Sequence, residues 1–114
     1  MPAQDWRELT NQEREMAKSA RHSGNEGRAR VCARRAAGHV VGEFLTRNEI
    51  NIGSESALDR LRFLASSPDI DDEQRELIDH FLVRTTPEHK LPIDVDLIAD
   101  VDLLARQLLG ETLP

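Results

Sequence analysis

The sequence is short of everything that would stiffen a small protein from outside its core. It has one cysteine, Cys32, no tyrosine, and four aromatic residues in all, Trp6, Phe44, Phe63 and Phe81. A lone cysteine closes no internal disulfide, which excludes an oxidised, secreted scaffold. With so few rings, the core must be aliphatic. Apolar runs are brief and interrupted by Asp or Arg, as at Leu97-Ile98-Ala99, so none approaches the ~20 residues a membrane span needs. The opening Met1-Pro-Ala-Gln-Asp lacks the basic start and apolar run of a signal peptide, and the expected compartment is the cytoplasm. Also missing are a Gly-rich phosphate loop, a Ser-centred elbow and a His-Glu metalloprotease pattern, which disfavours P-loop and hydride-transfer chemistry. No repeats or low-complexity tracts occur.

What is there fits one domain over residues 1–114, long enough to bury roughly two-thirds of its unfolded surface without staples. The formal net charge of -6 is unevenly spread: residues 1–47 carry nine Lys and Arg against six Asp and Glu, whereas residues 48–114 carry six against fifteen. Such a molecule does not grip nucleic acid strongly and nonspecifically, because that affinity comes from neutralised phosphates. One basic face remains possible, with a solvated face as the plainer alternative.

Apolar residues recur at helical spacing along most of the chain, which predicts five helices. The first runs from about Asp5 to Arg21 and ends at Ser23-Gly-Asn-Glu-Gly27. The second, from about Gly27 to Arg47, has a broad apolar face from Ala29 to Leu45 and an arginine row, Arg28, Arg30, Arg34 and Arg35, on its first turns. Asn48 to Ser54 makes a connector whose Ile50 and Ile52 form a short extended segment or plug the core. A brief third helix follows the cap pair Ser56 and Asp59 and stops at Ser66-Ser-Pro68. The fourth begins at Asp71, where Gln74 closes a capping box, and Pro87 ends it. Asp94 or Asp96 caps the last, which runs to about Leu109 with Gly110 behind it. The expected architecture is an all-α antiparallel bundle of about five helices, built on a long hairpin of the first two.

Four groups of residues invite a chemical reading. Gly38 and Gly42 lie one turn apart inside the second helix, where each costs about 1 kcal/mol relative to Ala; close approach of another helix, from the same chain or from a second copy, offsets that cost. Cys32, His39 and Glu43 share one side of the same helix, but three mixed ligands without a second cysteine make a poor metal site, and a small buried thiol suits the pattern better. Asp94, Asp96, Asp100 and Asp102, with Asp71, Asp72 and Glu73, imitate a divalent-cation site but lack any EF-hand order; capping and solvation explain them. No metal or other cofactor is expected. Finally, three histidines have an arginine five positions upstream, in Arg34/His39, Arg75/His80 and Arg84/His89. Histidine transfers protons near neutral pH and arginine holds a phosphate, which together suit metal-independent RNA cleavage. Inside one helix a five-residue spacing turns the first two pairs to different sides. Arg84 and His89 instead straddle Pro87, where a loop brings both into one cleft.

The order of elements, with the Ala-rich stretch Gly27-Arg-Ala-Arg-Val-Cys-Ala-Arg-Arg-Ala-Ala-Gly38, a short third helix, a fourth followed by Arg84-Thr-Thr-Pro-Glu-His89, and a closing Leu-rich helix, resembles the HEPN superfamily from Trp6 to Leu109. The resemblance implies a homodimer in which two such motifs face one shared cleft, with Arg84 and His89 as the catalytic pair. It also implies RNA or a nucleotide as ligand, and a nucleotidyltransferase-type protein as partner. Gly38 and Gly42 would then lie at the dimer interface, and the Arg28, Arg30, Arg34 and Arg35 row would guide RNA or meet the partner. Thr85 stands where active members carry a polar Asn, Asp or His, and Pro87 interrupts the motif. Both departures favour a catalytically degenerate binding module over a ribonuclease of toxin–antitoxin type.

Overall fold

Each helix begins where a short polar side chain can take up the first free backbone N–H groups. The computed structural model, which describes residues 5–83 and 95–113, contains α1 (Trp6–His22), α2 (Glu26–Arg47), α3 (Ala57–Ala65), α4 (Asp72–Leu82) and α5 (Leu97–Leu109), with no strand among the described residues. Asp5, Asn25, Ser56, Asp71 and Asp96 are the N-caps. The expected capping box is present: the Asp71 carboxylate accepts from Gln74 N at 2.7 Å, and the Gln74 side chain accepts from Asp71 N at 3.1 Å. Of the two aspartates offered for α5, Asp96 takes the role, accepting from Ile98 N at 3.1 Å; Asp94 lies outside the described residues.

The α1–α2 turn is tight because two capping devices are stacked in it. Gly24 at φ 82° donates to Arg21 O, and Asn25 N reaches back to Ala20 O at 2.8 Å, the paired bonds of a Schellman ending. The Asn25 side chain then accepts from Arg28 N at 3.1 Å and starts α2. The hairpin is antiparallel, so Trp6 at its far end meets the last turn of α2. The Arg7 and Arg47 guanidinium groups lie 4.9 and 6.0 Å from the Trp6 ring centre, and both pair with Glu111.

Helix α2 is the axis of the bundle, packed by α1, α3 and α5. Its buried positions are almost all small: Ala29, Ala33, Ala36, Ala37 and Gly38, with Val40, Val41 and Leu45 beyond them. Bulk comes from the surrounding helices, where Phe81, Leu61, Leu64, Ile78 and Leu104 are fully enclosed. Gly38 and Gly42 both face α3 of the same chain. A Cβ on Gly38 would stand 2.7 Å from the Ala57 Cα, and one on Gly42 would stand 2.8 Å from Arg60 Cζ. Close approach is thus met within the chain, and a second copy is not needed to account for either glycine. Between α2 and α3, Ile50 and Ile52 plug the core rather than forming a strand.

Helix α4 stops at Leu82, ahead of Pro87, with Val83 already extended and Arg34 Nε donating to the Phe81 carbonyl at 2.7 Å. The helix is therefore over before the proline, and a tertiary contact meets its last turn. At the end of α2, Glu49 at φ 57° takes the left-handed position of a second Schellman motif, donating to Thr46 O while Ile50 N reaches Leu45 O at 2.9 Å.

These positions predict opposite outcomes for small substitutions. Gly38→Ala drives a methyl into α3 backbone, and overpacking of 1–3 kcal/mol outweighs the ~1 kcal/mol gain in helix propensity. Its melting temperature should fall, whereas Gly42→Ala, opposed only by the end of the Arg60 side chain, should change little. Glu49→Gly should stabilise by about 0.5–1 kcal/mol, raising the melting temperature by a few degrees, because only glycine is unstrained at positive φ.

Candidate functional site

The arginine row of α2 divides by burial. Arg28 and Arg35 are exposed and make no ion pair among the described residues, and the exposed Val31 lies between them. Arg30 is half-buried. Arg34 is turned inward to the carbonyl end of α4, and burial pulls its guanidinium below the ordinary arginine value. Its work is structural: a cation donating to the Phe81 carbonyl at a helix C-terminus. Arg84 and His89 lie outside the described residues.

The other two Arg/His pairs are held apart, as the helical spacing requires. Arg75 donates to carbonyls of the α3–α4 connection, including Ser67 O at 3.1 Å and Ile70 O at 3.3 Å. His80 instead pairs with Asp100 across α4 and α5, Nδ1 to Oδ2 at 3.0 Å. Burial raises the Asp100 carboxyl above the usual aspartate value, and His80 offsets part of that rise. Two more members of the acidic row are also paired. Asp96 binds Arg21 at 2.9 Å besides capping α5, and Asp102 binds the buried Arg14 at 2.9 Å. Among the described residues no three His, Cys, Asp or Glu side chains are arranged to hold a metal ion.

A cleft of about 350 Å³ opens between α1, α2 and the start of α3. Its walls include Glu13, Arg35, Gly38, His39, Ser56 and Arg60. Two of the three residues expected to cluster on α2 belong to this neighbourhood, and the third does not. Cys32 is 1% exposed, and its thiol is pushed up chiefly by burial and then by the negative charge of Glu13. His39 lines the cleft. Glu43 points away and pairs with Arg47 at 2.8 Å. The acid that replaces it is Glu13 of α1, whose Oε2 is buried without a hydrogen-bond partner among the described residues. Burial holds the His39 imidazole below its usual value; Glu13 opposes that shift and Arg60 adds to it. Arg60 donates Nη1 to Gly38 O at 3.3 Å, laying its guanidinium along the α2 groove that the two glycines open.

Glu13 and Arg60 were not singled out in sequence because both reach this place through tertiary packing. Gly38 and Gly42 were the available signal, since a side-chain-free groove on a helix announces something lying in it. No helix among the described residues is long and apolar enough to cross a membrane. Comparison with known protein families, with curated proteins and with solved structures finds no match to this chain.

The half-buried imidazole sets a pH dependence. Because His39 binds a proton less readily folded than unfolded, the unfolded state gains protons first on acidification, and stability falls as pH drops through the ordinary histidine value. Asp100 acts in the opposite sense and only nearer the carboxylate range, where protonation relieves a buried charge. The melting temperature should therefore decrease between pH ~7.5 and ~5.5, around the unperturbed histidine value. His39→Gln should reduce that decrease; an unchanged pH profile in the variant would refute the assignment.

Proposed function

We propose that this chain is a small HEPN-like helical module, acting as a homodimer, that binds a single-stranded RNA or nucleotide without processing it. The exposed face of α2 across its first two turns, residues 28–35, supports this most directly. Arg28 and Arg35 stand about 10 Å apart along the axis, seven residues at 1.5 Å each, on a helix whose opposite side is locked into the core. Unpaired guanidinium groups on a rigid element suit phosphates, and they need not be released from internal ion pairs before binding. Thr85 and Pro87 weigh against turnover at Arg84 and His89, and the fifteen acidic residues after position 47 limit the affinity to a local contact. A nucleotidyltransferase-type partner protein would meet the same arginine face.

The alternative, a metal-independent ribonuclease, assigns proton transfer to His89 and phosphate binding to Arg84. One set of measurements separates the two. A fluorescent all-uridine 12-mer should bind the purified protein at low salt and remain intact. The double variant Arg28→Ala/Arg35→Ala should bind at least fivefold more weakly, with a shallower salt dependence. Cleavage that disappears in both Arg84→Ala and His89→Ala would establish the enzyme instead. Absence of binding would remove the RNA reading, and a strict monomer in light scattering would remove the dimer.

A further inference from the structure

The cleft between α1, α2 and α3 shares Arg35 with the exposed arginine face and adds a chemistry beyond phosphate contact. Glu13 presents a carboxylate whose Oε2 is buried without a hydrogen-bond partner among the described residues and whose neighbour on α2 is the weak S–H donor of Cys32, so that a stronger N–H or O–H donor would stabilise it. Across the same cleft stand Arg35, exposed and without an ion pair among the described residues, and Arg60. A bare anion would meet Glu13 and Glu55 on the walls, and a bare cation would meet the two arginines. The matching occupant therefore donates along one edge and accepts along another. His39 and Arg60 add flat imidazole and guanidinium faces, the surfaces on which unpaired bases stack. Of the four RNA bases, only guanine offers two adjacent N–H donors, N1 and the 2-amino group, together with two adjacent acceptors, O6 and N7.

We propose that this cleft is a guanine pocket: Glu13 accepts from N1–H and the 2-amino group, Arg35 donates to O6 and N7, and the ring lies against His39. The inference rests on the RNA- or nucleotide-binding reading and gives it a base preference. Arg28, two turns before Arg35 on the same exposed side of α2, is placed for the flanking phosphates of a strand.

Calorimetric titration of the full chain with GMP, IMP, AMP and UMP tests it. GMP should bind at least tenfold more tightly than AMP or UMP, and several-fold more tightly than IMP, which lacks the 2-amino group. Glu13→Gln, isosteric and uncharged, should abolish the GMP preference while thermal denaturation shows the fold retained. Equal affinity for the four nucleotides, or no GMP binding, overturns the pocket. Both results come from the unaltered protein, so they do not depend on how the variant folds. Binding of the all-uridine strand separates the two levels: if it persists when guanine preference is absent, only the pocket fails, and if it is lost while GMP still binds, only the arginine-face reading fails.

Discussion

Three helices pack closely around a fourth when the fourth is thin. Helix α2 meets this condition with a file of alanines ending at Gly38, and the rest of the bundle follows from it. Interaxial separations of 8–10 Å depend on the side chains at the contact, so small residues on the axis let large ones on the periphery close over it. Phe81, Leu61, Leu64, Ile78 and Leu104 fill the space that α2 leaves. A core with four aromatic residues in the whole chain is sufficient because the volume needed near the axis is small. Gly38 marks the limiting case, where α3 backbone comes so near that even a methyl group has no room.

A second regularity concerns arginine. Arg34 binds the Phe81 carbonyl, Arg60 the Gly38 carbonyl, and Arg75 three carbonyls around the α3–α4 connection. Each satisfies backbone acceptors that helix geometry leaves open or exposes at a groove, and a guanidinium has enough donors to serve several at once. At these three positions the positive charge is fastened to the backbone rather than offered to solvent. What remains outward on the first half of α2 is narrower than the sequence implied, and correspondingly more defined.

Helix number, caps and the hairpin were legible because each depends on residues close in sequence: Asp71 with Gln74, Ser56 with Asp59, Gly24 with the end of α1. The end of α4 was not, falling ahead of Pro87 where Arg34 meets its last turn from 47 positions away. The same limit applies to the cleft. His39 is visible as a polar residue beside an apolar face, but helical spacing points to Glu43, one turn along the same helix, as its acidic neighbour, whereas that neighbour is Glu13 from the facing helix. Periodicity orders residues around one axis and carries no information about which other axis lies alongside. Nor did charge counting distinguish Arg34 from Arg35, adjacent in sequence but one half-buried against α4 and the other exposed.

Trp6 occupies the joint where the first turn of α1, the last turn of α2 and the segment after α5 converge, with two guanidinium groups against its ring and Glu111 tying both together. Being the sole indole, it makes the molecule its own optical probe. Emission intensity and wavelength of that single fluorophore report on whether the segment after α5 is docked, a local event that circular dichroism of a largely helical chain averages away. The joint lies at the end of the hairpin opposite the Ser23–Asn25 turn, so any change in this signal on adding a ligand at Arg28 or Arg35 would mean that the length of α2 transmits it.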